Sequence, residues 1–278
     1  TGGAFTDLQD ALDYVNRLGG GQVLITPGTY TISENLTIYS DTVLEGIGAR
    51  DCIINFNSGT NNLTSATNAR FISIKNLSFN NCQNATNGAI YFNGVLHGRI
   101  EDCMFGTNAT AGSAGYDIYT NNCGNLVIEN CISKSPATFL FMDSNVNINM
   151  VNNNYISDST NYTIYGGTTN SGGGQTRYEA NFIFNPRTYS IFGRFVSASF
   201  SNNVMSYQVA VSGTAVRFNG GGDNVFIGNE IETLGGTLGS ISAMALGTSV
   251  SNRICNNLIT TSRANSSQIL IEGGTTTT

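Results

Sequence analysis

Residues 126–133 read LVIENCIS. Ile128 is followed two positions on by Asn130, and an apolar residue returns at Ile132. The same spacing recurs on both sides: IKNLSF from Ile74, IEDCMF from Ile100, MVNNNY from Met150, YEANFI from Tyr178, FSNNVM from Phe200, IGNEIE from Ile227 and ICNNLI from Ile254. The third position falls at 76, 102, 130, 152, 180, 202, 229 and 256, at intervals of 22 to 28 residues. Six of these eight are Asn, Asp102 is a near equivalent and Ala180 departs. That period is the mark of a repeat architecture. A second feature keeps step with it. Short runs (AIYF, DIYT, FLFM, TIYG, SIFG, AVRF, AMAL) place an apolar residue at Ile90, Ile118, Leu140, Ile164, Ile191, Val216 and Met244. Each lies 11 to 13 residues before its Asn slot, except Ile164 at 16. A β-sandwich with Asn-rich turns would not hold that offset.

Each repeat thus supplies three short strands: one before a brief turn, one ending at the Asn, one after it. Strands this short are unstable alone. Coiled into a solenoid, each pairs with its equivalent about 4.8 Å along the axis. Asn suits the corner, because it tolerates the left-handed conformation and its amide can bond identical amides above and below. The predicted corner stack is Asn130, Asn152, Asn202, Asn229 and Asn256. At the amino end, TDLQDALDYVNRL has helical spacing at Leu8, Ala11, Leu12, Val15 and Leu18, with Thr6 or Asp7 as cap. A solenoid needs such a helix over its open apolar end. The expected layout is a β-helix domain over 1–274, capped by a helix over 6–18, and a Thr-rich tail or linker over 275–278.

The helix followed by GGGQVLITPGTYTI and LTIYSDTVLEGIG resembles the start of the pectate-lyase-like right-handed parallel β-helix superfamily, over about residues 3 to 48. The resemblance implies an all-β fold: a single right-handed parallel β-helix of about ten turns with a short N-terminal capping α-helix. The superfamily holds polysaccharide lyases, hydrolases and phage tailspikes, so the fold leaves the activity open.

Composition narrows the class. Only 11% of the 278 residues are charged, Lys occurs twice, and the net charge is −6. Nothing here forms a basic footprint for nucleic acid, and no apolar run is long enough to span a membrane. The chain opens at Thr1, which reads as a processed or excised start. The polar, lysine-poor surface suggests an extracellular, virion or cell-surface protein. Six cysteines show no C-x-x-C pair, so a structural zinc is not expected. Cys103 and Cys131 share one slot in neighbouring turns and read as a reduced ladder.

Alternation assigns the function-bearing face. If the apolar series points inward, Tyr91, Tyr119, Phe141, Tyr165, Phe192, Arg217 and Ala245 point out. The next outward column is Asn93, Asn121, Asp143, Gly167, Arg194, Asn219 and Gly247. Five stacked aromatics invite three readings: a sugar-binding strip, an oligomer interface, or a column covered by the protein's own loops. For glycan binding the candidates are Tyr91, Tyr119, Phe141, Tyr165, Phe192, Arg217, Asn93, Asn121 and Asp143. The predicted outward acids are Asp117, Asp143 and Glu272. Asp117 and Asp143 are too far apart for a retaining carboxylate pair. Weak catalytic candidates are Asp143, Arg194, Arg217 and Tyr165: the arginines to hold a substrate carboxylate, the tyrosine as base. His97 reads as structural or solvated. No metal or cofactor is expected, apart from calcium if the protein is a lyase. The leading expectation is a tailspike-like protein of glycan recognition or host attachment, with cell-surface or extracellular polysaccharide as partner and a homo-oligomer, such as a trimer, as an assembly. A polysaccharide lyase or glycoside hydrolase is the alternative, and a structural surface or filament protein the third.

Overall fold

A computed structural model of the chain describes residues 5–57, 60–81, 88–106, 115–144, 149–167, 174–207, 213–233, 241–246, 251–261 and 267–271. Among the described residues, three sheets of ten strands each form the body. The first runs from Gly21–Ile25 to Arg253–Cys255, the second from Gly28–Ile32 to Leu258–Thr261, the third from Leu36–Ile38 to Ser267–Ile271. Successive strands enter successive sheets, and each pairs in parallel with its equivalent one rung away. This is an all-β parallel β-helix with one short N-terminal helix. The expected tail over 275–278 lies outside the described residues.

The inner series behaves as its spacing requires. Ile90, Ile118, Leu140, Ile164, Ile191 and Val216 are in register along the third sheet and fully buried. Met244 continues the register. The second sheet adds Phe56, Phe79, Phe105, Ile156, Ile183 and Met205 to the same continuous core. Many strands bury a single residue, as Val127–Glu129, Ile132–Lys134 and Met150–Asn152 do, so a rung is stable only between neighbours that cover it.

The corner between first and second sheets corrects one expectation. Its left-handed residues are Asn76, Asp102, Asn130, Asn153, Ala180, Asn202, Gly228 and Asn256, with φ between +52° and +66°. Asn152 and Asn229 do not belong to this column. Asn152 is the last residue of the strand Met150–Asn152, paired with Glu129 and Glu179. Three consecutive asparagines at 152–154 hid the register, and Gly228 takes the left-handed place without a Cβ to oppose it.

Asn229 instead joins the next column, which turns inward: Leu77, Cys103 and Cys131, then Asn154, Asn181, Asn203 and Asn229, all buried. Here the amides form a ladder. The Asn203 Nδ2 donates to the Tyr178 carbonyl at 3.0 Å and to Asn229 Oδ1 at 2.8 Å. Its Oδ1 accepts from the Asn181 backbone N–H at 3.0 Å and the Asn181 Nδ2 at 2.9 Å. The ladder begins where the Cys131 N–H donates to Asn154 Oδ1. Cys103 and Cys131 are both free thiols, as expected. Burial, and then the neighbouring Cys103, push the Cys131 thiol well above its ordinary value, so it is unreactive packing rather than a nucleophile.

The cap helix spans Leu8–Arg17, and the Asp7 side chain accepts from the Asp10 N–H at 3.1 Å. Ala11, Leu12 and Val15 are buried over the first rung, whereas Leu18 ends the helix exposed. Gln9 fastens the helix to the solenoid: its Oε1 accepts the Thr37 N–H at 2.7 Å. Asp7→Ala should lower stability by about 1 kcal/mol. The check is a lower denaturant midpoint at unchanged slope.

Candidate functional site

The outward column of the third sheet forms as alternation requires. Tyr91, Tyr119, Phe141, Tyr165 and Phe192 are in register on successive strands, and Arg217 then Ala245 follow. All five rings are half-buried. Neighbouring centroids lie 4.7 to 5.8 Å apart. Phe141 has Tyr119 on one face at 4.8 Å and Tyr165 on the other at 4.7 Å, both stacked.

Three more aromatics, which alternation did not reveal, widen the column into a ridge. Each strand carries an irregularity: in Tyr116–Asn121, Asp117 and Ile118 are both buried, between half-buried Tyr116 and Tyr119. Tyr162–Gly166 and Tyr189–Val196 repeat the pattern. Tyr116, Tyr162 and Tyr189 are therefore brought out beside the main column. Tyr116 stacks on Phe141 at 4.9 Å, Tyr162 on Tyr165 at 4.6 Å, and Tyr189 sits 4.8 Å from Phe192. The sequence signal was Tyr-x-Ile-aromatic, in YDIY, YTIY and YSIF.

That irregularity overturns the outward placement of Asp117. Its carboxylate is fully buried and accepts the Ser133 hydroxyl. The equivalent Thr163 and Ser190 are likewise buried and bonded, to Ser159 and Tyr207 at 2.7 Å each. Strict alternation fails because two successive residues turn inward, the second apolar and the first satisfied by a core hydroxyl.

Beside the ridge runs the polar column. Asn121 Nδ2 is 3.5 Å from Asn93 Oδ1. The Tyr119 hydroxyl donates to Asp143 Oδ2 at 2.9 Å. Burial first, and then that hydrogen bond, push the Tyr119 phenol well above its ordinary range. Burial likewise raises Tyr116 and Tyr162. At neutral pH these three hydroxyls keep their protons, and that of Tyr119 donates to Asp143. Among the described residues Asp143 is the one carboxylate on this outward face, while Asp117 is inside and Glu272 and Gly247 lie outside the described residues. Arg217 succeeds Phe192 in the ridge column, and Arg194 is its diagonal neighbour one rung back, its N–H bonded to the Gly167 carbonyl at 2.9 Å. Tyr165 is sandwiched between Phe141 and Tyr162. His97 is not on this face: it stacks on Phe71 at 4.8 Å at the corner leading into the first sheet. Among the described residues no group of three or more His, Cys, Asp or Glu could hold a metal ion.

No family model matches the chain, and no curated protein matches it in sequence. Solved structures do match in fold. The surface protein and adhesin PfbA of Streptococcus pneumoniae aligns over 96% of this chain and 95% of its own at 12% identity, TM-score 0.68. The A-module of the Azotobacter vinelandii mannuronan C-5 epimerase AlgE6 aligns over 96% and 91% at 15% identity, TM-score 0.66. A double-mutant tailspike of E. coli bacteriophage HK620, in complex with a pentasaccharide, aligns over 93% of this chain and 63% of its own at 14% identity, TM-score 0.64. The chain therefore has the pectate-lyase-like parallel β-helix fold, and at these identities the likeness extends to the fold alone.

Proposed function

We propose that this chain is an extracellular or surface-exposed glycan-binding protein whose third-sheet ridge receives an oligosaccharide. The observation that carries the reading is the eight-ring ridge, six of its rings tyrosines, running beside Asn93, Asn121 and Asp143. Its main column spans about 19 Å at about 4.8 Å per rung, room for three or four sugar residues. The stacked geometry refines how sugars would be held. Inner rings spend both faces on each other, so they offer edges and hydroxyls. Tyr91, whose one ring neighbour among the described residues is Tyr119, has a face left for pyranose C–H groups, whereas Phe192 already has Tyr162, Tyr165 and Tyr189 around it. Hydroxyl and amide hydrogen bonds therefore dominate along the middle, and Arg217 extends the strip toward an anionic substituent. The adhesin and the pentasaccharide-bound tailspike on the same fold support this reading by analogy.

We read binding rather than turnover. Most glycoside hydrolases use two facing carboxylates, and Asp143 faces no second one among the described residues. The test is a glycan array coupled to assays for reducing ends and for unsaturated products, with and without calcium. Binding without cleavage is the expected result. Cleavage of any bound glycan would overturn the binding-only reading in favour of a lyase or hydrolase built around Asp143, Arg194, Arg217 and Tyr165.

A further inference from the structure

The second sheet carries an outward stripe that the ridge does not use. Met104, Ile132, Tyr155, Phe182 and Val204 occupy one column on five successive strands, and Leu258 continues it two rungs later. Tyr155, Phe182 and Leu258 are 40%, 37% and 58% exposed, among the largest exposed apolar side chains of the protein. The Tyr155 and Phe182 rings stack at 5.4 Å, which presents one continuous apolar strip. A strip of this kind on a soluble surface marks an interaction site.

Charge around the strip identifies its occupant. Lys134, one of two lysines in the chain, stands exposed two rungs before the strand Phe182–Phe184. Glu230 and Glu232 stand two rungs after it. The ion pairs found among the described residues, Lys75–Glu101, Arg99–Glu101 and Arg99–Glu129, all lie on the first sheet, so none engages these three groups. The face thus has a positive end and a negative end about 10 Å on either side of Phe182.

We propose that this face pairs with a second copy of the chain, the two solenoids antiparallel about a two-fold axis that runs along the strand Phe182–Phe184. Such an axis keeps each column opposite itself and exchanges rungs before Phe182 for rungs after it. Lys134 of each copy then meets Glu232 of the other, while Glu230, in the apolar column itself, lies opposite Ile132 and two residues along the strand from that ion pair. Tyr155 meets Val204, Met104 meets Leu258, and Phe182 meets Phe182. A parallel pairing about an axis along the Phe182 column would set Glu230 against Glu230 and leave Lys134 opposite Asn130 and Glu232 opposite Gly228, so it forfeits the charge complementarity of the antiparallel one. The third-sheet ridge faces elsewhere and stays open, so this inference stands whether or not the ridge binds glycan.

Charge reversal with mixing tests it, read by sedimentation velocity up to the highest soluble concentration. The wild-type chain should be a dimer. Lys134→Glu alone, and Glu230→Lys with Glu232→Lys alone, should each be monomeric with unchanged sheet circular dichroism. An equimolar mixture of the two variants should recover the dimer, because both 134–232 pairs in the mixed interface then join opposite charges. A monomeric or trimeric wild type, variants that stay dimeric, or a mixture that stays monomeric would overturn the proposal. If a charge variant lost its sheet signal, Phe182→Ser decides alone: a folded monomer supports the interface and a dimer rejects it.

Discussion

Asn203→Leu should destabilise the chain by about 3–4 kcal/mol. The side chain is 2% exposed and sits in mid-ladder, so its removal takes a bond from four groups at once: the Tyr178 carbonyl and the Asn181 N–H lose this partner outright, while the Asn229 Oδ1 keeps the Asn203 backbone N–H and the Asn181 Nδ2 keeps the Val151 carbonyl. Each buried polar group left without a partner costs about 1–3 kcal/mol, partly relieved by relaxation. Volume is not the difficulty, because Leu77 fills the equivalent place in an earlier rung. The neighbour Asn202 provides the control. It is exposed and left-handed, with φ +54°, and Asn202→Gly should change stability by no more than about 0.5 kcal/mol. Denaturant titration of both variants checks the pair. Equal, small shifts in the two would remove the ladder from the account of stability.

On the ridge, Tyr119→Ala and Tyr165→Ala should each weaken glycan binding by about 1–2 kcal/mol, roughly ten-fold. Isolated exposed rings could be removed without loss of stability, but these are stacked. Tyr119 touches Tyr91, Tyr116 and Phe141 and holds Asp143 by a hydrogen bond. Each deletion should therefore also cost about 1 kcal/mol of stability or more. Tyr119→Phe separates the two contributions: it keeps the stack and loses the bond to Asp143. Its expected signature is weakened binding at nearly native stability, measured by calorimetric titration and by thermal melting. If the alanine variants instead changed the oligomeric state while binding was intact, the ridge would be a subunit interface and not a glycan site.

The fold was legible because two features kept step for seven repeats, and only stacked rungs demand that of a sequence. The Asn slot was legible as a corner, but its register was not. Asn152, Asn153 and Asn154 offer the same side chain to three different environments, and only the left-handed φ at Asn153 tells them apart. The outward column Tyr91 to Phe192 followed from alternation, as did Asn93, Asn121 and Asp143 beside it. Tyr116, Tyr162 and Tyr189 were lost, and Asp117 misplaced, because alternation presumes a regular strand and these strands turn two successive residues inward. The apolar stripe on the second sheet lay in plain view, as the apolar residue two places past several corner residues, Ile132, Phe182 and Val204 among them. Without the three-sheet geometry there was no means of knowing that this position faces solvent.

The most direct test of the ridge as a glycan site is a crystal structure of the protein with the oligosaccharide that the array identifies. Sugar density should run along the third sheet, its middle residues bonded to tyrosine hydroxyls and to Asn121 or Asp143, and a pyranose face against Tyr91 at one end. Density confined to another face, or an empty ridge in a saturated crystal, would contradict it.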